Sequence, residues 1–483
     1  MPREEGRAGR RVLLVCLAAG ATTLVDQSVL NIALPSLRDS LAAGPSGVQW
    51  IVAGYSLAFG LALVPGGSLG DVRGRKGLFV LGLSAFLAAA LVAATAGAPG
   101  TVITARLVQG AGAGLVNSQV IGTLQDVFAS EERSRALGRY AVVGGLAAGL
   151  GPPLGGALVA GFGPGAGWRL CLLLSAPCAV ATLFLASRRL PPPRRTARHS
   201  GLDVGGLLLA GMLTLTLMLP FITTPDSLGG AASWAAAAAV SGAALGVQQR
   251  LRSRAKRPPL LHPALAASKP YLLGTAVAMA QFGSSMAASL VLTVFLQAGL
   301  GLSALATAAV ALPSALAMGL SSAVAWRVVR RLGPRAVSLG LALGAGALVA
   351  SAAVTLTVPV AALPVTLAAA QAVVGAASGL TVSPNQAQVL QHAPAEAAGL
   401  AGGVLQMAQR IAAAVCLSAV SGVYLRGAAH EEGVPRTAFA LSMGVCAGLL
   451  LAGLVLSVSR RATVHRRPAT SPRAPAPVPE ETL

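Results

Sequence analysis

The sequence predicts an all-α polytopic membrane protein: a major bundle of six helices, an inserted helix pair and a second six-helix bundle. Three observations carry that expectation. Hydrophobic residues make up 54% of the 483 positions and charged residues only 11%, with mean hydropathy +0.72. Apolar windows of about 20 residues, the length of a membrane-spanning helix, recur along the whole chain. Lys and Arg cluster in alternate short loops. Soluble chains carry about 25% charge and have no interior able to hide this much apolar surface. A net charge of +21 would point to nucleic acid in a soluble chain. Here the bases read as topology signals, and no nucleic-acid partner is expected.

The hydrophobic pattern predicts fourteen helices, near 12–35, 48–70, 77–97, 101–123, 139–161, 168–187, 202–222, 230–249, 271–298, 303–326, 336–357, 361–384, 398–424 and 437–459. The twelfth fades into Ser383-Pro384-Asn385. Arg10 and Arg11 precede an apolar run that continues past any cleavage point, so the first segment reads as a span and not as a signal peptide. With both termini cytoplasmic, 30 of the 36 Lys and Arg fall on that side. Four fall opposite (Arg38, Arg169, Arg426, Arg436), and Arg106 and Arg410 lie within spans. A missed helix would scramble that bias.

Two basic, proline-containing stretches divide the chain, at 188–200 and 250–270. The expected units are an N-terminal six-helix bundle (1–187), basic linkers with inserted helices seven and eight (188–269), a C-terminal bundle (270–459) and a disordered cytoplasmic tail (460–483). An inserted pair leaves both six-helix units in the same orientation, as parallel repeats require. The five cysteines sit in apolar segments without metal-ligand spacing, and the five histidines fall in loops or the tail. No GxxxxGK[ST] phosphate loop occurs. No metal, no cofactor and no enzymatic activity are expected.

One carboxylate, Asp26, stands inside the apolar run that begins at Val12. A charge at that depth costs a few kcal/mol or more, so it is rarely kept without a task or a partner. Desolvation in a cavity that is alternately wet and dry would let it exchange protons near neutral pH. Its helical face (Thr22, Val29, Leu30, Ala33) is small and apolar, as expected of a cavity wall. The alternative is a structural acid paired to an arginine. Arg106 lies about one turn into the fourth helix, on a stripe with Gly110, Ala113 and Asn117 and followed by Gln109. It needs a counter-charge, carbonyls or water, or it snorkels to the headgroups. In the thirteenth helix Gln406, Gln409, Arg410 and Ala413 share one face, which reads as a wet wall and not a lipid contact. Gln281, with Ser284 and Ser285, and Gln371 are lesser candidates, with interhelical hydrogen bonding as the competing role.

Five stretches carry a family resemblance. The loop GSLGDVRGRKG, Gly67 to Gly77, resembles the signature loop of the major facilitator superfamily. RLVQGAGAG, Arg106 to Gly114, is similar to its helix-four motif, and GGLAAGLGPPLGG, Gly144 to Gly156, resembles the helix-five motif of its antiporters. LVDQSVLNIALP, together with fourteen helices, is similar to the drug:proton antiporter branch of EmrB/QacA type. AGLAGGVLQMAQRIAAAV, Ala398 to Val415, fits that branch as well.

The resemblance implies proton coupling through Asp26, with binding of cationic cargo there, and an assisting role for Arg106. Thr22, Asn117, Gln281, Gln406, Gln409 and Arg410 become candidate cavity residues. Conformational switching is expected of Gly67, Gly70, Asp71, Arg73, Gly74, Arg75 and Lys76, with Asp71 paired to Arg75 or capping a helix. Gly151, Pro152, Gly155 and Gly156 are expected to form a kinked, closely packed pivot. The second-half counterpart of the signature loop, AWRVVRRLGPR (Ala325 to Arg335), has the bases and no acid. No second deep carboxylate occurs in the later helices.

The expected function is secondary export of amphipathic small molecules, drugs or antibiotics, across a bacterial inner membrane, in exchange for protons. The partners are substrate, protons and lipids, and the expected state is a monomer. Low aromatic content, 4%, predicts an aliphatic cavity. The rival readings are a lipid or endogenous-metabolite exporter of the same superfamily and a non-transporting scaffold or sensor.

Overall fold

A computed structural model of the chain describes residues 2–128, 130–190, 203–222, 228–255, 257, 259–394 and 398–465. These residues fold into α1 (Pro2–Ser40), α2 (Pro45–Arg73), α3 (Arg75–Ala94), α4 (Pro99–Val127), α5 (Ser130–Leu173), α6 (Ala176–Arg189), α7 (Val204–Ile222) and α8 (Leu228–Arg254). The short α9 (Pro263–Ala267) follows, then α10 (Lys269–Val294), α11 (Ala304–Leu332), α12 (Arg335–Thr357), α13 (Leu363–Gln391), α14 (Ala398–Ala429) and α15 (Arg436–His465).

Among the described residues, eleven helical stretches are long and apolar enough to cross a membrane. One of them, Leu150–Arg189, has 40 residues, about twice what a bilayer core needs at roughly 1.5 Å per residue. It doubles back at Gly163, whose φ of 75° only glycine adopts easily. The returning chain lies so close that a side chain at Gly167 would meet Val159. The helix α4 has the length but not the hydropathy, because it buries Arg106, Gln109, Asn117 and Gln119.

Four expectations change. The sixth segment is not one helix over 168–187 but is interrupted at Leu174 and Ser175. Pro177 cannot donate to the carbonyl four residues back, and its ring crowds that turn. The expected bend at Pro152 and Pro153 is absent: helical backbone runs through both, and the non-helical residue is Gly163. The twelfth segment does not fade at Pro384, because α13 stays helical to Gln391. There Asn385 Nδ2 donates to Gly274 O (3.0 Å) and its Oδ1 accepts from Arg460 Nη1 (2.9 Å), tying the stretch to α10 and α15. Finally, α15 runs to His465, into the expected tail. Residues 191–202, Asp226 and the rest of the tail lie outside the described residues.

Helix packing repeats along the chain. The contacts α1–α5, α2–α4, α3–α4, α1–α6 and α3–α6 recur as α10–α14, α11–α13, α12–α13, α10–α15 and α12–α15. The second helix of each set packs on the fifth of the other, α2 on α14 and α11 on α5. The seam between second and fourth helices is built alike in both. Side chains at Gly110 and Gly114 would strike Tyr55 O and Phe59 O; side chains at Gly375 and Gly379 would strike Ser314 O and Met318 O. Small residues at i, i+4 spacing let helix backbones approach without a hydrophobic drive between them.

The pair α7–α8 lies against α2 and α14. Asp203, just before α7, fastens it. Its carboxylate accepts from Gly206 N (2.8 Å), Gln248 Nε2 (2.7 Å), Gln249 Nε2 (2.6 Å) and Leu260 N (2.9 Å), with Arg252 Nε at 3.3 Å. Burial pushes this carboxyl up, but those hydrogen bonds outweigh it and hold it below the ordinary carboxylate value. A depressed value means the stabilisation is present above the ordinary carboxylate range and is lost as pH falls through the lowered one. Asp203→Ala is therefore expected to cost about 2–3 kcal/mol, read as a lower thermal unfolding midpoint in detergent. Asp203→Asn should be intermediate, and the gap to wild type should narrow at acid pH.

Candidate functional site

The apolar interior of α1 offers Asp26 no solvent, so its charge is met by protein. Asp26 and Arg106 are 2% and 1% exposed, and Arg106 Nη1 lies 2.7 Å from Asp26 Oδ2. Gln109, one turn along α4, closes a ring. Its Nε2 donates to Asp26 Oδ1 (2.9 Å) and its Oε1 accepts from Arg106 Nη1 (2.7 Å). Ser175 Oγ adds a fourth contact to Oδ1 at 3.3 Å, from the interruption ahead of α6. The guanidinium also stacks on Tyr55, 4.1 Å from the ring centroid, a cation–π contact favoured where water is excluded. Arg106 Nε is sealed with no acceptor.

This geometry corrects two readings. Arg106 does not snorkel; it turns inward to the acid. The face of Thr22, Asp26, Val29, Leu30 and Ala33 is not a cavity wall, since all five are buried among neighbouring helices. The Thr22 hydroxyl folds back onto Ala18 O, and the fully sealed Asp26 side chain presents no surface to a cationic cargo. Asn117 is also buried, with Oδ1 unpartnered. Gln281 is spent on Ser285 (3.1 Å) and Ser378 (3.2 Å), and Gln371 is buried in α13.

The open polar surface lies across the junction of the two helix sets. Arg410 of α14 donates from Nη1 to Gln27 Oε1 of α1 at 2.6 Å. Its guanidinium lies 4.0 Å from the centroid of Phe59 and 5.1 Å from that of Phe282. Gln406 and Gln409 beside it are partly exposed and have no side-chain partner among the described residues. Phe59 and Phe282 are the two rings that flank this guanidinium. Toward the far ends of the helices a cavity of about 300 Å³ is lined by Leu34, Asp39, Val159, Leu290, Gln297 and Tyr424. There Gln297 Nε2 donates to Ile32 O (3.0 Å).

In the signature loop, Arg75 pairs with Asp126 at the end of α4 (2.6 Å). The Asp71 side chain lies outside the described residues. Gly74 makes the turn between α2 and α3 with φ 92°, and Gly70 abuts Gln119, whereas Gly67 faces open space. Arg73 is exposed and Lys76 partly so. Gly151 and Gly155 press on Ser28 and Val29 of α1, and Gly156 presses on Ala304 and Ala308 of α11; Pro152 is half-buried in the same helix. Sequence reasoning missed Ser175, Tyr55 and Gln27. The Ser175-Ala176-Pro177 step, a proline inside an apolar run, was the available signal for the first.

Two repeated six-helix sets meeting at a polar junction, with a charge pair sealed inside one of them, define a multi-pass membrane carrier. The chain belongs to the Major Facilitator Superfamily, whose family profile matches residues 16–417. It is 31% identical over 425 residues to the puromycin resistance protein pur8 of Streptomyces alboniger, covering 85% of this chain and 81% of that one. It is 35% identical to a probable actinorhodin transporter of Streptomyces coelicolor, covering 60% of this chain and 50% of that one. Among solved structures, the fold superposes on the POT family transporter PepTSo with TM-score 0.67 at 14% identity, over 94% of this chain and 98% of that one. Agreement at that identity is agreement of fold.

Removing one member of a buried pair leaves an uncompensated charge at a cost of about 3–5 kcal/mol, whereas removing both is far cheaper. Arg106→Gln alone is thus expected to lower thermal stability in detergent sharply. Asp26→Asn with Arg106→Gln should regain most of it.

Proposed function

We propose that the protein is a proton-coupled exporter of amphipathic small molecules, antibiotics among them, working by alternating access. The reading has fourteen crossings and both termini in the cytoplasm of a bacterial cell. Its halves are 1–187 and 270–459, and the helices between them form an inserted pair. The observation that carries it is the sealed Asp26–Arg106–Gln109–Ser175 cluster. A single acid whose partner is a long, swinging side chain has two stable conditions: ionised and paired, or protonated and released. Drawing Arg106 away leaves a buried carboxylate, which takes up a proton in preference to standing alone. Membership of a transporter superfamily supports transport, and relatives described as an actinorhodin transporter, a puromycin resistance protein and a cephamycin export protein support antibiotic cargo.

Coupling follows from exclusivity. The proton competes with Arg106 for Asp26, and cargo acts on the junction that α1 and α4 share with the other half. The break at Ser175 gives that cluster a hinge, because α6 starts there with free first-turn N–H groups. One proton crossing 100 mV is worth roughly 2.3 kcal/mol, about fortyfold in cargo gradient at ~1.4 kcal/mol per tenfold. Energised inside-out vesicles holding wild-type protein should accumulate puromycin in a protonophore-sensitive way, and Asp26→Asn vesicles should not. Accumulation by the mutant that ignores the protonophore would show that Asp26 is a structural acid.

A further inference from the structure

We propose that the site at the junction selects an anionic cargo, held by the Arg410 guanidinium between Phe59 and Phe282. This assignment rests on the export reading and adds the charge of the substrate to it.

The first argument is a charge balance. Five charged side chains are buried among the described residues: Asp26, Arg106, Asp203, Arg410 and Arg460. Asp26 and Arg106 neutralise each other. Asp203 sits against Arg252 just before α7, and Arg460 is bound by Asn385 and Gln388 near the end of α15. Arg410 is left. It is 6% exposed, and no carboxylate lies within ion-pair distance of it among the described residues. A buried guanidinium held only by neutral groups bears a large desolvation cost, which an anion of suitable shape would offset.

The second argument is how the guanidinium is presented. A Cβ placed on Gly60 of α2 would stand 2.9 Å from the Arg410 Cβ, so the bare glycine gives α14 room to set the guanidinium 4.0 Å from the Phe59 centroid. Of its five N–H donors, Nη1 is bonded, to Gln27. Arg106 Nε is closed off from any space, but the unbonded donors of Arg410 are not sealed. Partly exposed Gln27, Gln406, Gln409 and Phe282 border them. A planar fork with spare donors suits a carboxylate, sulfonate or phenolate. The partly exposed ring of Phe282 supplies an apolar face for a conjugated body attached to it.

The third argument is mechanical. Arg410 and Phe282 come from the second helix set, and Gln27 and Phe59 come from the first. An anion accepting from Arg410 would take the donor that Gln27 now holds. Gln27 is the neighbour of Asp26 in α1, so cargo arrival would disturb the helix that carries the proton-binding acid.

The test uses two xanthene dyes of similar size and opposite charge, fluorescein and rhodamine 6G. Their binding to the full-length protein in lipid nanodiscs would be followed by fluorescence polarisation. Wild type should bind fluorescein at least about tenfold more tightly than rhodamine 6G. Arg410→Gln should weaken fluorescein about 10- to 100-fold, the loss of one or two charge-assisted hydrogen bonds. Rhodamine binding should stay within about threefold, which also shows that the variant is folded. Arg410→Lys should fall between, keeping the charge and losing the fork. Equal binding of the two dyes by wild type, no binding of fluorescein, or parallel loss of both dyes in Arg410→Gln would overturn the assignment. Energised inside-out vesicles separate this from the export reading. Preferential accumulation of rhodamine 6G leaves export standing and removes the anion site. Arg410-dependent fluorescein binding without accumulation of either dye does the reverse.

Discussion

The buried bond between Asp26 and Arg106 sets the terms for the rest of the molecule. Two opposite charges inside an apolar helix set are tolerated because each neutralises the other, with further contacts from Gln109, Ser175 and the Tyr55 ring. Such a pair stabilises little compared with an apolar replacement, but breaking it is expensive. It is therefore better suited to a switch than to a strut. On the proposed function its two conditions differ by one proton and one side-chain rotation, and the cost of a buried unpaired charge separates them.

The repeated packing explains where such a switch can act. Each six-helix set is closed by a glycine seam between its second and fourth helices, and the two sets meet through α2–α14 and α5–α11. The seams are dense and make each set stiff. The junction is polar and partly open around Arg410. The repeat is also unequal: the first set links its first and fourth helices through a charged pair, Asp26 to Arg106, and the second through neutral Gln281 and Ser378. The buried ion pair thus lies in one half, and the other presents Arg410 at the junction.

Much of this was legible in the chain. Helix positions followed from hydropathy, because a bilayer requires long apolar windows whatever the tertiary context. Asp26 and Arg106 stood out because charge is rare at that depth. Their pairing was not legible: they lie 80 residues apart, and depth counted along a single helix does not reveal which way a long side chain turns. Ser175 was hidden by treating 168–187 as one helix, although Pro177 carried the warning. The stripe through Thr22 and Asp26 shows the limit of helical periodicity, which groups residues on a face without saying whether that face meets water or a neighbouring helix. Asp126 was missed as a partner of Arg75 for a similar reason, since the two lie 51 residues apart. Gln27 and Arg410, 383 residues apart, meet only because the two halves dock.

The account's central claim is that Asp26 gains its proton when it loses Arg106. Infrared difference spectroscopy on the purified protein, acidified or supplied with puromycin, reads that event directly. A protonated-carboxyl band should rise in wild type under either condition and be missing from Asp26→Asn. A wild-type spectrum without that band, showing Asp26 ionised throughout, would contradict the account.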